Sequence, residues 1–598
     1  MARFRKLAAL PQIFYVVFFI LYFLYFLLFN RYHLAYQEQI QLFLYNWNYF
    51  TGFLARPGGL SIYFGAFFSQ FFIIPLAGAF IVTLEGIAIC LLANYILRKY
   101  NISGILWSIM PVLLIVALNS DHRYNLGYSL GFILALTFTA LYVSIRKDYI
   151  RYTAGIIIWF FLYFVTGGFS LLAIVLFIVH ELLYRKERYW FLAVLGYIAI
   201  AVAFPYFAWH FIFFIPKTDA WLYPVIFPFY GITKIVLIIL LVYFPLLLIV
   251  IKLWFKLSKK TQLSFGWNWK TVLAGIIVLL TFSWGIKKYS YDIKTELILG
   301  IDNCVQHLKW DKALELSSRY QGTNRLAVYF TNLALYKTGR IGDQMFRYNQ
   351  YGIKGLWLDW PGNEFSVFLG GDIFYHLGYI NEAYRWAFDA MVAKGQSPRL
   401  MKRLVMISLI NGNSANAEKY LNILDETLFY RKWAQHYRNY LVDNKLLLND
   451  PEIIEKRHLL IHEDFIVSTN NISNVLSQLL KNHPDNRMAF EYYMAALLLD
   501  KDISAFAANI NHIKDLGYKE IPVHYEEALL VYMSYAKKNI VPEGYLIRKS
   551  TIQRFSEYSN AYTSYSGNAD MAAQNLKKRF GNTYWFYLHF INTQVKIR

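Results

Sequence analysis

Thr271–Lys287, TVLAGIIVLLTFSWGIK, is the last long apolar run of the chain, and at Lys287 the composition changes from one suited to a membrane to one suited to water. Before this point most stretches of about 20 residues are dominated by Phe, Leu, Ile, Val and Tyr, as a helix that crosses a bilayer requires. After it, charged residues return every few positions. The sequence therefore predicts a multi-pass membrane domain, residues 1–290, followed by a water-soluble domain, residues 291–598.

Composition supports this division. The 598 residues are 57 % hydrophobic and only 16 % charged, which is too apolar for a soluble protein of this length. Residues 1–287 carry 22 Lys and Arg against 7 Asp and Glu, whereas the remainder carries 37 against 31. The basic excess thus lies in the membrane domain, where it signals topology, and we predict no nucleic-acid partner. Cys90 and Cys304 are too few for a disulfide framework or a cysteine zinc site.

Nine spans are predicted. The break Thr166-Gly167-Gly168 separates the fifth from the sixth, and the alternative is one kinked span over 154–184, which would reverse everything downstream. The second run is long, so it is either tilted or begins as an interfacial helix that ends near Pro75. The predicted ranges are 13–30, 66–97, 103–119, 127–145, 154–165, 168–184, 190–209, 232–254 and 271–287.

Basic residues set the orientation. With nine spans, the clusters at 3–6, 98–99, 146–151, 185–188 and 252–260 fall on one side, and the positive-inside rule makes that side cytoplasmic. The apolar run after Arg3, Arg5 and Lys6 lacks a cleavage site and is interpreted as an uncleaved anchor. These patterns predict a bacterial inner-membrane protein with a cytoplasmic N-terminus and a periplasmic C-terminal domain.

The soluble half has helical periodicity and a weak repeat. Gly378-Tyr-Ile-Asn-Glu-Ala383 and Gly412-Asn-Ser-Ala-Asn-Ala417 share a glycine-to-alanine spacing, and Trp310-Asp-Lys-Ala313 and Ile503-Ser-Ala505 are degenerate copies. The spacing resembles the tetratricopeptide repeat, in which glycine forms the turn between two packed helices. An all-α chain is therefore predicted, a transmembrane bundle followed by an α-solenoid. Solenoids present a groove to a protein or peptide partner, and the alternative is a helical array without true repeats.

Chemistry has to come from isolated carboxylates, because phosphate loops, dinucleotide fingerprints and nucleophile elbows are absent from the sequence. Glu38 follows span one, Asp121 closes span three, and both fall on the predicted outer side. Glu85 lies inside span two, where an ionisable group is a functional candidate. The alternative is a purely structural role, in which Glu38 and Asp121 only cap helix ends.

This placement is similar to that of the GT-C glycosyltransferases, multi-span enzymes that take sugars from a polyprenyl-linked donor. The resemblance implies Glu38 as catalytic base, although many of those enzymes have Asp there, and Asp121 as a second acidic catalytic residue that, with His122, orients a metal or the acceptor. The same resemblance implies membrane lipid and a polyprenyl-linked sugar as ligands. It identifies no cofactor, and a divalent metal is compatible with it. The substrate-binding residues that it implies are Gln39, Arg56, His122 and Arg123.

Three strings also resemble an uncharacterised family of Bacteroidota inner-membrane proteins: Glu38-Gln-Ile-Gln-Leu-Phe43, Arg56-Pro-Gly-Gly-Leu60 and Gly339-Arg-Ile-Gly-Asp343. That resemblance implies architecture and an envelope location. Two further functions stay open. One is a non-catalytic scaffold that binds envelope proteins through its repeats. The other is a transporter that depends on Glu85, which is disfavoured because no inverted repeat is evident.

Overall fold

The computed structural model describes residues 2–225, 231–258, 263–264, 269–360, 364–461, 465, 467, 471–565 and 568–591. It is helical throughout, as predicted, apart from one two-residue parallel ladder between β1, Ile102–Ser103, and β2, Leu263–Ser264. The chain forms two compact units. The first is Met1–Glu296 with Glu426–Leu428, and the second is Leu297–Asp425 with Phe429–Arg598.

Thirteen helices of the first unit lie in the described residues, and their lengths follow the lengths of the apolar runs. They are α1 Ala2–Leu28, α2 Arg31–Gln39, α3 Trp47–Leu54, α4 Gly59–Ser69, α5 Pro75–Lys99, α6 Ile105–Asn119, α7 Leu126–Ser144, α8 Asp148–Thr166, α9 Ser170–Val179, α10 Trp190–Phe211, α11 Lys217–Leu222, α12 Gly231–Ser258 and α13 Trp269–Gly285. Short 3₁₀ or π turns extend them at Gln70–Ile73, Gly167–Phe169, His180–Arg185 and Ile286–Ser290.

Five helical segments of the described residues are long and apolar enough to cross a membrane. They are Pro75–Lys99, Leu126–Ser144, Asp148–Arg185, Trp190–Phe211 and Thr233–Ser258. A sixth arises if Gln12–Leu28 and α2, which meet at a 61° bend, are taken together. Pro75 occupies the first position of α5, where a missing amide hydrogen costs nothing, and the residue before it, Ile74, is extended, as residues before proline tend to be. The second predicted run therefore begins as the separate helix α4.

Asp148–Arg185 is too long for one straight span and reverses direction at Gly167. The buried side chains of Arg151 and Glu181 meet at 2.6 Å, between Nε and Oε1. In a continuous helix a 30-residue separation would hold them about 45 Å apart. Gly167 permits the reversal because its φ is +59°, and a Cβ there would lie 2.2 Å from the carbonyl oxygen of Tyr223. α8 and α9 are therefore an antiparallel hairpin.

Contacts between loops show that the loops lie at two ends of the first unit. At the basic end Tyr100 Oη lies 3.0 Å from His180 Nδ1, and β1 pairs with β2. At the opposite end the amide of Gly58 donates to Phe164, and the amide of Gly168 donates to Tyr223. The loops beside the basic clusters at 98–99, 185–188 and 252–260 thus lie at one end of the first unit, and the cytoplasmic location of this end stays a prediction.

Nineteen helices follow in the described residues. They are α14 Ile293–Gln306, α15 Trp310–Arg319, α16 Arg325–Lys337, α17 Ile341–Gln344, α18 Glu364–Leu369, α19 Asp372–Leu377, α20 Ile380–Lys394, α21 Pro398–Ile410, α22 Ser414–Asp425, α23 Arg431–Val442, α24 Asn444–Asn449, α25 Pro451–His458, α26 Ile472–Asn482, α27 Arg487–Leu499, α28 Ile503–Asn509, α29 Val523–Ala536, α30 Lys549–Thr563, α31 Ala569–Phe580 and α32 Tyr584–Phe590. Further 3₁₀ turns occupy Met345–Arg347, Ile353–Gly355 and Ile510–Ile513.

Five turns of the second unit share one geometry. Each has a residue at positive φ: Leu308 (55°), Gly339 (67°), Gly378 (83°), Gly412 (70°) and Lys501 (63°). The amide of the next residue donates to the carbonyl five positions back, at 2.7–2.9 Å, which is the Schellman arrangement. The following helix begins two residues after each of them. The predicted glycine turns are confirmed, and the same turn also forms without glycine.

The alanines of the repeat pattern pack where helices approach closely. Ala313, Ala383 and Ala417 lie five residues after the positive-φ position and are at most 1 % exposed. Yet contacts within the unit are not limited to neighbours along the chain, because α17 packs against α27 and α29. Asp343 Oδ1, for example, accepts a hydrogen bond of 2.7 Å from the amide of Val523. An ideal solenoid, whose repeats touch only their neighbours, lacks such contacts.

A buried ionic network lies inside the second unit. Arg399 Nη1 donates to Asp302 Oδ1 at 2.7 Å, and Arg399 also pairs with Asp372. Arg403 Nη2 donates to the second oxygen of Asp372 at 3.1 Å. Arg399 and both carboxylates are less than 10 % exposed, so each charge depends on its partners for compensation.

Candidate functional site

The short helix α2 at the end of α1 buries polar side chains. It packs against α5 and the turn Gln70–Ile73. His33, Gln37 and Glu38 are only 2 %, 8 % and 3 % exposed, and Leu34 is their single apolar companion on the buried face. Burial of polar groups is unfavourable unless they gain hydrogen bonds. A helix end that accepts this cost is a candidate functional site.

Glu296, at the end of the first unit, caps α2. Its carboxylate accepts hydrogen bonds from the amides of Tyr32, at 2.9 Å, and His33, at 3.1 Å. The His33 ring also pairs with it. The residue at the N-cap, Asn30, makes no side-chain cap hydrogen bond, so a carboxylate from far along the chain serves instead. Sequence analysis missed Glu296 because 263 positions separate it from His33 and no local pattern links them.

Glu38 lies on the inward face of α2. Gln39 Nε2 donates to Glu38 Oε2 at 2.6 Å, so the predicted base is in contact with its sequence neighbour, a predicted substrate-binding residue. Arg56 is exposed in a different turn, with its guanidinium carbon 5.5 Å from the ring centre of Tyr223. The structure therefore joins Gln39 to the predicted base and places Arg56 against an aromatic ring.

Asp121 is held by four hydrogen bonds. Its Oδ1 accepts from the amide of Arg123, at 3.0 Å, and from Nε of the same residue, at 3.1 Å. Its Oδ2 accepts from Arg123 Nη2, at 2.8 Å, and from Thr233 Oγ1, at 2.6 Å. Burial alone would raise the pKa of Asp121, but these hydrogen bonds outweigh it and lower the pKa to about 2. Such a carboxylate anchors its neighbours and is a poor proton acceptor.

His122 connects the Asp121 turn with α2. Its Nδ1 lies 3.7 Å from Asp121 Oδ1. Its ring centre lies 6.0 Å from that of His33 and 5.8 Å from that of Tyr36. The structure thus brings the Asp121 turn to the helix that carries Glu38. We call Tyr36, Glu38, His33, Asp121 and His122 the α2 cluster.

Two buried amides beside the cluster lack partners. Within the described part of the chain, neither amide atom of Asn30 has a hydrogen-bond partner, and the same holds for Gln37 Nε2. Asn30 is 0 % exposed. Buried polar atoms are nearly always hydrogen-bonded, so such atoms are typical of sites that hold water or a ligand. No sequence pattern pointed to Asn30.

Glu85 is buried inside α5, as its place in the second run predicts. Asn119 Nδ2 lies 3.3 Å from its Oε1 and 3.2 Å from its Oε2. The partner in these contacts is the side-chain amide of Asn119, at the end of α6. Because this amide is uncharged, it positions the Glu85 carboxyl group without compensating a negative charge.

One family model matches almost the whole chain. Residues 6–591 match a family described as a family of unknown function, DUF6057, and the chain belongs to this family. No curated protein and no solved structure shows significant similarity to it. The match covers residues of both units.

Proposed function

We propose that this DUF6057 protein crosses a bacterial inner membrane nine times and exposes the α2 cluster and the second unit to the periplasm. The nine segments are α1, α5, α6, α7, α8, α9, α10, α12 and α13. The reversal at Gly167 supports two segments within Asp148–Arg185. Glu296 follows the last segment and bonds to α2, which follows the first, so both lie at one end. An odd number of crossings accounts for this contact.

The proposed activity is a GT-C-like transfer of a sugar from a polyprenyl-linked donor. One observation carries it: α2 buries Glu38, Gln37 and His33 at the membrane end and leaves amide atoms there without partners. Folding stability alone favours apolar residues in these places, and departures from that rule are expected at functional sites. Membrane lipid and the lipid-linked sugar are the proposed ligands.

In this proposal Glu38 is the catalytic base. The hydroxyl proton of the acceptor passes to the Glu38 carboxylate, the acceptor oxygen attacks the anomeric carbon, and the bond from that carbon to the lipid phosphate breaks. Gln39 orients the carboxylate. Arg56 and Arg123 bind the phosphate, since guanidinium groups pair well with phosphate oxygens. Because its pKa is low, Asp121 is assigned to positioning Arg123 and His122.

Glu38→Gln tests the activity. A strain that lacks the protein is complemented with the wild type, with Glu38→Gln or with Asp219→Asn, which removes a carboxylate of another loop at the proposed outer side. Surface glycans and lipid-linked sugars are then compared by mass spectrometry. We expect Glu38→Gln to abolish restoration at an unchanged membrane level of the protein, and Asp219→Asn to restore it. Full restoration by Glu38→Gln would refute a catalytic role.

The scaffold function is the second candidate, favoured by the five matching turns of the second unit. Stacked helix pairs of this kind commonly bind a protein or peptide. In this case Glu38→Gln is silent, whereas deletion of residues 297–598 removes the phenotype together with a co-purifying envelope protein. A transporter would instead depend on Glu85, and Glu85→Gln separates that function from both.

A further inference from the structure

Two histidines and an aspartate converge at the surface of the second unit. His458 ends α25, and His483 and Asp485 lie in the turn between α26 and α27. One possible ligand atom from each residue lies within 4.8 Å of those of the other two. By its sequence alone this segment, Asn482-His483-Pro484-Asp485, is typical of a turn.

The turn that carries two of these side chains is firmly anchored. Asn486 is 4 % exposed, and its Nδ2 donates to the carbonyl of Leu377 at 2.8 Å. Its Oδ1 accepts from the amide of Ala489 and caps α27, while its own amide donates to the carbonyl of His483 at 3.0 Å. The backbone of His483 and Asp485 is therefore fixed on both sides, so little ordering remains when a ligand binds.

The ring of His483 is oriented by a backbone carbonyl. Its Nε2 lies 2.9 Å from the carbonyl oxygen of Leu460, which can only accept, so Nε2 carries the hydrogen. Nδ1 of the neutral ring then keeps its lone pair. Metal-binding histidines are typically held in this way, with one ring nitrogen bonded to a carbonyl and the other free to coordinate.

His458 and Asp485 form the open side of the group. His458 Nε2 lies 2.5 Å from Asp485 Oδ2, and the two side chains are 61 % and 60 % exposed. The ring centres of His458 and His483 are 5.7 Å apart. A cation from solvent can therefore reach all three side chains, and it replaces the hydrogen shared by His458 and Asp485.

We propose that His458, His483 and Asp485 form a zinc site. Two imidazole nitrogens and one carboxylate oxygen are ligands that Zn²⁺ prefers, and three protein ligands leave one position for water. Zn–N and Zn–O bonds of about 2.0–2.2 Å place tetrahedral ligand atoms about 3.4 Å apart. The present ligand atoms lie within 4.8 Å of one another and have to adjust to that spacing when the metal binds. The bound metal joins the end of α25 to the α26–α27 turn.

Zinc titration of the full-length protein tests the site. The protein is purified in detergent with a histidine-free affinity tag, and Zn²⁺ affinity is measured by competition with a chromophoric chelator. Co²⁺ provides an independent readout, because its visible absorption reports tetrahedral nitrogen and oxygen ligands. We expect one equivalent of Zn²⁺, and losses of affinity of more than about 10-fold in His458→Ala, His483→Ala and Asp485→Asn.

The matched control is His512→Ala. His512 and Asp515 form a second exposed pair, with Nδ1 and Oδ2 3.4 Å apart, outside the three-residue cluster. His512→Ala is expected to keep the wild-type affinity and Co²⁺ spectrum. If His483→Ala perturbs folding, the proposal is judged on His458→Ala. His458 is exposed at a helix end, so its replacement is expected to leave the fold intact. Equal zinc affinity in wild type and His458→Ala, or equal losses in His458→Ala and His512→Ala, overturns the proposal.

Discussion

The pair of Arg151 and Glu181 gives the sharpest test of the fold. Both side chains are fully buried, and they form two hydrogen bonds, Nε to Oε1 at 2.6 Å and Nη2 to Oε2 at 3.1 Å. Arg151→Met leaves a buried carboxylate with the Tyr142 hydroxyl, 2.8 Å away, as a remaining donor. Removal of one partner from a buried ion pair reduces the free energy of unfolding by about 3–5 kcal/mol.

A double-mutant cycle separates the pair energy from the effects of each residue. We expect Arg151→Met and Glu181→Met each to lower the unfolding temperature by about 5–8 °C, taking about 1.6 °C per kcal/mol for a unit of about 300 residues. The double variant buries no charge, so its loss should be far smaller than the sum of the single losses. Thermal unfolding of the detergent-solubilised protein, followed by tryptophan fluorescence, measures all three.

Arg185→Met is the control. Arg185 pairs with Glu187 at 3.7 Å, and both side chains are more than a third exposed. Surface pairs of this kind contribute at most about 1 kcal/mol. Additive losses in the cycle would refute the hairpin of α8 and α9, because residues about 45 Å apart in a continuous helix do not couple. The proposed number of crossings would then be even.

Three further predictions concern single positions. Glu296→Ala removes the cap of α2, and we expect a local loss of about 1 kcal/mol, seen as faster amide exchange of Tyr32 and His33. Gly378→Ala should destabilise more than Gly412→Ala, by thermal unfolding, because its Cβ would lie 2.6 Å from Leu459 whereas Gly412 has open space. Asp372 is buried, but Arg399 and Arg403 more than compensate and lower its pKa. Its stabilisation is therefore present above pH about 4 and is lost as pH falls through the lowered pKa; Asp372→Asn should flatten this acid limb of the unfolding profile.

For each of these three predictions one result would contradict it. Unchanged exchange in Glu296→Ala, with faster exchange elsewhere, would mean that another group caps α2. Equal effects of the two glycine substitutions would mean that φ alone, rather than contact with Leu459, decides the cost. An acid limb as steep in Asp372→Asn as in wild type would assign the pH dependence to other carboxylates.

Local features of the sequence predicted much of the fold. Most apolar runs gave helices of the first unit within about six residues, because a bilayer demands uninterrupted apolar segments with internal hydrogen bonds. The exceptions are α1, which begins at Ala2 rather than at residue 13, and the second run, which is divided before Pro75. Pro75 and Gly167 marked real breaks, since proline lacks an amide hydrogen and glycine tolerates positive φ. Gly378 and Gly412 marked real turns for the same reason. Leu308 and Lys501 adopt that turn without any sequence signal.

The candidate site was predictable only in part. Glu38 stood out as one of the few carboxylates of the first unit, a short segment after the first apolar run, and Gln39 is its neighbour. The low pKa of Asp121 could not be foreseen, because one of its donors, Thr233, is 112 positions away. The cap formed by Glu296 and the unpaired amide of Asn30 could not be predicted from the sequence either. Whether a polar group finds a hydrogen-bond partner depends on which residues folding brings near it.

The sequence by itself indicated which segments are long and apolar enough to cross a bilayer, two of the helix breaks, at Pro75 and Gly167, and which loops are basic. These properties depend on transfer free energy and backbone dihedral angles, which act over a few residues. Tertiary structure alone decided that Arg151 meets Glu181, that Glu296 caps α2 and that His458 meets His483. Charge pairing and coordination act over a few ångströms in space, whatever the distance along the chain, so packing has to bring the partners together before either can operate.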